Sequence, residues 1–292
     1  MGTIQIDGST PKITVGNATA EDATILFDGN AQDFYIALDD SADDLLIGLG
    51  STVGSTPAIS IDENLQSTFG GDVIIGGATP TLTIGDAGEE DTKIVFDGNA
   101  QDFHIGLDDS ADSLTIGLGN TLGTTSHIVI DATGAVTKPL QPYVYAYANA
   151  DQTVTADDSI TALELNAELK DINADFNTTT YTFTAPVDGA YMCSGYIQMI
   201  EDTDTSITDW FFGFNASNGG EKGWGGNPTV FETSSGSNYT KVVGFSKIVY
   251  MDASDTLTLY ADCAGGGGSL TFKVDGTSNS YAATSMQVAL LS

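Results

Sequence analysis

Shifting the 292-residue sequence by 69 positions lays residues 8–68 on 77–137 with 36 of the 61 positions identical. This duplication constrains the fold more than any other feature, because a chain copied in tandem builds one unit twice. The match is densest over 25–34 on 94–103, Leu38–Asp43 on Leu107–Asp112, and Ile47–Gly50 on Ile116–Gly119. A shorter Thr-Pro-x-apolar-x-apolar element recurs at Thr10, Thr56 and Thr79. Apolar residues alternate at period two in Phe34/Ile36/Leu38, Leu45/Ile47/Leu49, Ile59/Ile61 and Val73/Ile75, the pattern of half-buried strands. Asp28-Gly29, Asp97-Gly98 and Gly70-Gly71 punctuate them, and the two Asp-Gly-Asn stretches read as plain hairpin turns. Each strand offers only two or three apolar side chains, too few for a core of its own. Stacking along an axis or intertwining with identical chains is the usual remedy. Residues 1–137 are therefore expected to form an elongated, repetitive β shaft of three chains.

Charge narrows the possible partners. Forty acidic residues face eight basic ones, all lysine, for a net charge of −32. Residues 1–137 hold 22 carboxylates against Lys12 and Lys93 alone. Nucleic acid is excluded as a partner, since nothing could neutralise a run of phosphates. Anionic membrane surfaces are disfavoured for the same reason, and no apolar run approaches the ~20 residues that span a bilayer. The N-terminal stretch lacks the charged and apolar regions of a secretion signal, so Sec-type export is not expected. Such a negative field opposes non-specific sticking and costs stability by self-repulsion, most at low salt.

Two acidic clusters invite a metal reading: Asp39, Asp40, Asp43 and Asp44, and their copies Asp108, Asp109 and Asp112. Hard cations such as Ca2+ take six to eight oxygens, and aspartates on a turn supply several. The spacing matches neither an EF-hand nor a calcium-binding β-roll, and the alternative is a solvated acidic turn in which Asp and Ser favour the bend. Catalysis is not expected. His104 replaces Tyr35 of the sister copy, His127 replaces Ala58, and no G-x-S-x-G, Walker or H-E-x-x-H motif occurs. Paired carboxylates for glycoside cleavage leave a polysaccharide depolymerase as a minor alternative. Cys193 and Cys263 lack zinc-site spacing and read as two buried thiols in neighbouring strands or as a disulfide.

After Thr137 the repeat stops. Residues 138–142 (Lys-Pro-Leu-Gln-Pro) read as a linker, and Tyr143, Tyr145 and Tyr147 alternate as in a strand. Residues 159–171 lean towards helix by propensity, although Leu163/Leu165 also fits a strand. The run from Phe176 to Tyr191 (FNTTTYTFTAPVDGAY) resembles the C1q/TNF-like jelly-roll signature, F-T-A-P-V-x-G-x-Y preceded by an asparagine and a tyrosine. In it Tyr181 and Phe183 are expected on one face, Pro186 ends the ladder and Gly189 permits the turn. Further strands are expected at 211–214, 242–250, 256–260 and 285–291, the last resembling the family's closing strand. The resemblance implies a C1q-like knob over 143–292, with 159–171 extended against its local propensity. Gly265–Gly268 reads as a loop between knob strands. Trp224 and Tyr239, in or beside a Gly/Ser/Asn-rich loop, are candidates for ligand contact, as aromatics in adaptable polar loops often are; the alternative is that Trp224 packs at the knob edge.

The motifs F-D-G-N-A-Q-D-F and L-D-D-S-A-D resemble repeats in fibre-type structural proteins of marine tailed bacteriophages. That resemblance implies a homotrimer with an N-terminal shaft and a C-terminal knob on the virion surface. It implies a second virion protein at the N-terminal end and a host surface glycan or protein at the knob. Only about seven residues precede the first repeat, which raises a capsid (head) decoration fibre as an alternative to a fibre with the primary receptor role.

Overall fold

The computed structural model describes residues 12–155, 159–200, 207–217, 223–225, 240–265, 269–272 and 284–291. Two compact units emerge, residues 1–83 and residues 84–292. Among the described residues the secondary structure is β, apart from one 3-10 turn at Asp109–Ala111. No helix there is long and apolar enough to cross a membrane.

The first unit is an antiparallel meander of β1 (Ala23–Phe27), β2 (Phe34–Asp39), β3 (Asp44–Leu49), β4 (Pro57–Ile61) and β5 (Ser67–Phe69). The second copy repeats it as β6 (Thr92–Phe96), β7 (Phe103–Asp108), β8 (Ser113–Leu118), β9 (Ser126–Ile130) and β10 (Val136–Thr137). Register places Ile25, Ile36, Ile47 and Ile59 in one row across the first sheet. Leu38, Leu45 and Ile61 form the row on one side of it, and Phe27, Phe34 and Leu49 the row on the other. Partners in an antiparallel pair share a face, so these rows make one apolar surface. Eight of its side chains, in β1 to β3, are each between 38% and 55% exposed.

The other face is covered at its centre, while Leu26 at its β1 edge stays 44% exposed. Tyr35, Ala37 and Leu46 are buried, with Val53 from the following loop packed against them. Gly48 makes room for the phenol, since a Cβ there would stand 2.3 Å from the Tyr35 ring. In the second sheet His104 takes the place of Tyr35, and its Nδ1 donates to the Gly119 carbonyl at 2.9 Å. Thr115 replaces Leu46 there and is buried.

The period-two reading thus holds for β2 and β3, while Val73/Ile75 forms no strand. Residues 70–91 carry no strand, and Val73, Ile74 and Ile75 are exposed. Alternation sets which side chains share a face, but a strand also needs a neighbour to accept its backbone hydrogen bonds. The Asp-Gly-Asn segments do lie in the hairpin connections β1–β2 and β6–β7. Each opens a six-residue loop closed by a later carboxylate, with Gly29 N–H donating to Asp33 at 3.0 Å and Gly98 N–H to Asp102 at 3.1 Å.

The C-terminal half is a two-sheet sandwich. Its strands are β11 (Tyr143–Tyr147), β12 (Gln152–Thr155), β13 (Thr161–Ala162), β14 (Ala167–Asp171), β15 (Phe176–Asn177) and β16 (Thr182–Thr184). They continue with β17 (Gly189–Ile200), β18 (Ile207–Ala216), β19 (Gly223–Gly225) and β20 (Thr240–Met251). The last three are β21 (Thr256–Gly265), β22 (Ser269–Phe272) and β23 (Ser285–Leu290). One sheet runs β14-β11-β23-β17-β20, and β22 with β12 joins it at the Ile200 end of β17. The other runs β15-β16-β21-β18-β19, with β13 also paired to β21. Successive strands cross between the sheets, β16 to β17 to β18 and β19 to β20 to β21. This is the jelly-roll arrangement that the 176–191 motif implied. Residues 159–171 contain no helix, in line with that resemblance and against propensity.

Between the sheets lies a continuous apolar core that includes Phe183, Tyr191, Ile197, Phe214, Leu259 and Val288. Phe183 and Tyr191 meet edge to face at 5.5 Å, and the Tyr191 hydroxyl donates to the Val187 carbonyl at 2.7 Å. Tyr181, expected beside Phe183, instead sits in the turn after β15 with φ +58°. Asn177 Oδ1 accepts from Thr179 N and Thr180 N, and the tight turn they form carries Tyr181 out of the ladder.

The Gly48–Tyr35 contact gives a direct test. Gly48→Ala should destabilise the first sheet by about 1–3 kcal/mol, the usual cost of overpacking. Gly48→Ala combined with Tyr35→Ala should lose less than the two single changes added together, as read by a double-mutant cycle in urea.

Candidate functional site

The acidic turns are the most fully defined of the sequence candidates. Asp39 ends β2 and pairs with Asp44 at the start of β3, while Asp40 and Asp43 lie in the turn between them. One oxygen of Asp39 accepts from Ser41 N at 3.1 Å, Ser41 Oγ at 2.7 Å and Ala42 N at 3.3 Å. Asp22 accepts from Asp40 N at 3.1 Å and ties the turn to the chain before β1. The copy is built alike: Asp108 caps Ser110 Oγ and Ala111 N, and Asp91 accepts from Asp109 N. Asp43 and Asp112 adopt left-handed backbone, φ +59° and +47°, a conformation that aspartate tolerates better than most residues. Among the described residues no three His, Cys, Asp or Glu side chains converge as a metal set would. The geometry is that of two capped turns.

Trp224 lies on β19, the edge strand of the second knob sheet, opposite Gly213 of β18. Tyr239 and the loop residues 218–222 and 226–238 lie outside the described residues, as do Gly266–Gly268. The two cysteines are not in neighbouring strands. Cys193 is on β17 of one sheet and Cys263 on β21 of the other. Strand alternation alone could not reveal that successive strands cross the sandwich. Cys193 is a free, buried thiol, and burial pushes its pKa up to about 12, so it is neither nucleophile nor ligand at neutral pH. Of the histidines, His104 is sealed in its covered face and His127 is exposed on β9.

Sequence reasoning missed two clefts beside the knob motif. One, about 390 Å3, is lined by His127, Lys138, Leu140, Pro186, Val187 and Leu290 where the 138–142 segment crosses the sandwich. That segment is fastened rather than loose. The Gln141 side chain donates to the Leu290 carbonyl at 2.6 Å, and Leu290 N–H donates to Pro142 at 3.1 Å. The other cleft, about 560 Å3, runs along Asp175, Phe176, Asn177, Thr184 and Pro186 to Ser254. Burial, then the neighbouring Asp171 carboxylate, hold the Asp175 carboxyl above its ordinary range. Asp171 meanwhile accepts from Asp175 N and Phe176 N, anchoring the start of β15. Among the described residues lining either cleft no nucleophile stands beside a base.

No family model and no curated protein matches the sequence. Among solved structures, the globular domain of zebrafish complement 1qA is similar at 15% identity and TM-score 0.32, over 52% of this chain and 98% of that one. The Eiger TNF of S. frugiperda is similar at 10% identity and TM-score 0.33, over 52% of this chain and 92% of that one. The jelly-roll assignment rests on the strand order described above. No activity or partner passes from these proteins to this chain.

Two measurements test the site. Asp108→Ala should cost about 1 kcal/mol by removing a cap, with a melting temperature indifferent to added calcium or chelator; a calcium-dependent loss would restore the ion reading. Asp175→Asn should raise the melting temperature at neutral pH. A carboxyl with a raised folded-state pKa favours the folded state below that pKa and loses the advantage as pH rises through it. The gain from asparagine should therefore vanish once pH falls below the ordinary carboxylate range near 4.

Proposed function

We propose that this chain is a structural, non-enzymatic fibre of a virion, three copies associating along residues 1–137, with the C-terminal jelly roll adhering to the host cell surface. One observation carries the reading: among the described residues, each repeat sheet has one broad apolar face whose side chains are exposed or only half-buried. A soluble monomer rarely exposes so large a patch, and partners of the same kind are the simplest cover. The exposed apolar segment at Val73–Ile75 fits the same need. Loops at the ends of the sandwich are the natural contact surface, and three knobs on one stem turn weak contacts into a firm hold by avidity. A second virion protein holds the N-terminal end.

Light scattering on the purified chain should return three times the chain mass of 30.3 kDa. Immunogold against residues 143–292 should label virions at their surface and block adsorption. Labelling confined to the head with unimpaired adsorption would make the chain a capsid decoration. A particle without label would end the virion reading.

A further inference from the structure

Comparing the two repeat sheets face by face separates what the duplication kept from what it released. The exposed face of β1–β4 has eleven side-chain positions, and ten are identical in β6–β9; only Ala23 differs, as Thr92. The opposite face has ten positions, of which eight differ and only Asp39 and Gly48 persist; of its four buried positions, Tyr35, Ala37 and Leu46 differ and Gly48 is kept. Tyr35 has become His104, Ala37 Gly106, Leu46 Thr115, and the overlying Val53 Leu122. Packing within a chain ordinarily holds a buried set in place while an exposed set drifts, because the buried side chains must fit one another. Here the order is inverted. The exposed set is the one held to a fit.

We infer that the outer face of each repeat sheet is a homotypic interface, and that its occupant is the equivalent face of another copy of this chain. Three observations select that occupant. The face is apolar across all three rows, while the aspartates stand at the strand ends and in the turns, so like-charged chains approach there with least repulsion. Eight large apolar side chains of this face in the first sheet and five in the second are each 38–55% exposed, a contiguous patch of the kind that marks an interaction surface. The same face is presented twice, 69 residues apart, so two copies in parallel register meet like with like at both sheets, whereas an unrelated partner would need a matching duplication. The middle isoleucine row, Ile25, Ile36, Ile47 and Ile59 with its copy Ile94, Ile105, Ile116 and Ile128, lies at the centre, where burial contributes most.

This inference rests on the self-associating fibre reading and names the surface it uses. The two fail separately. In sedimentation of the full chain at high salt, Ile36→Thr with Ile105→Thr, which keeps a β-branched side chain in each strand, should raise the dissociation constant at least tenfold. His104→Tyr with Thr115→Leu, on the covered face, should leave it unchanged. Independently of any loss of folding, Ile47→Cys should cross-link to its own counterpart under mild oxidation and give covalent dimers. An assembled wild type whose isoleucine variants assemble as tightly, or whose Ile47→Cys form never cross-links, would overturn the interface and leave the fibre standing. A wild type that stays monomeric at high salt would overturn both.

Discussion

A β-sheet has two faces, and a repeat of this length carries enough chain to cover only one. In the first unit the loop bearing Val53 folds back over Tyr35, Ala37 and Leu46, and the supply of apolar cover ends there. The isoleucine row on the opposite side is left to water. Each exposed apolar side chain forfeits the stabilisation that burial would contribute, about 25 cal/mol per Å2 of area removed from water. The reading of the chain as part of an assembly follows from that imbalance.

The jelly roll solves the same problem internally. Its sheets lie face to face, so the inner residues of each cover the other, and Phe183, Tyr191, Phe214 and Leu259 fill the space between. Close approach is bought with glycine at one point: a Cβ on Gly195 would meet Phe245 at 2.6 Å and Leu259 at 2.9 Å. The Phe245 ring then packs on Phe214 at 5.1 Å. The sandwich is thus self-sufficient in a way that the repeat sheets are not.

Much of this was legible in the residues. Period two at Phe34/Ile36/Leu38 marked the strands, and the F-T-A-P-V run marked the sandwich, overriding the helical propensity of 159–171. What escaped depended on relations between distant segments. Whether Val73 and Ile75 pair is decided by the presence of a neighbour, and Tyr181 leaves its strand because Asn177 captures two backbone N–H groups ahead of it. The separation of Cys193 from Cys263 depends on strands crossing between sheets. That one oxygen of Asp39 and one of Asp108 accept from the amides and hydroxyls of their own turns is likewise visible only in coordinates. Most telling, the divided record of the repeat, one face kept and the other released, emerges only when sequence identity is read along the strand register.

That division also makes the sheets modular. With the outward residues shared and the inward ones free to be retuned, the span between the copies becomes a splice point. A third copy grafted there would bring its own Tyr35- or His104-type lining and present the same outer face as the other two. The number of sheets could then be altered by recombination alone.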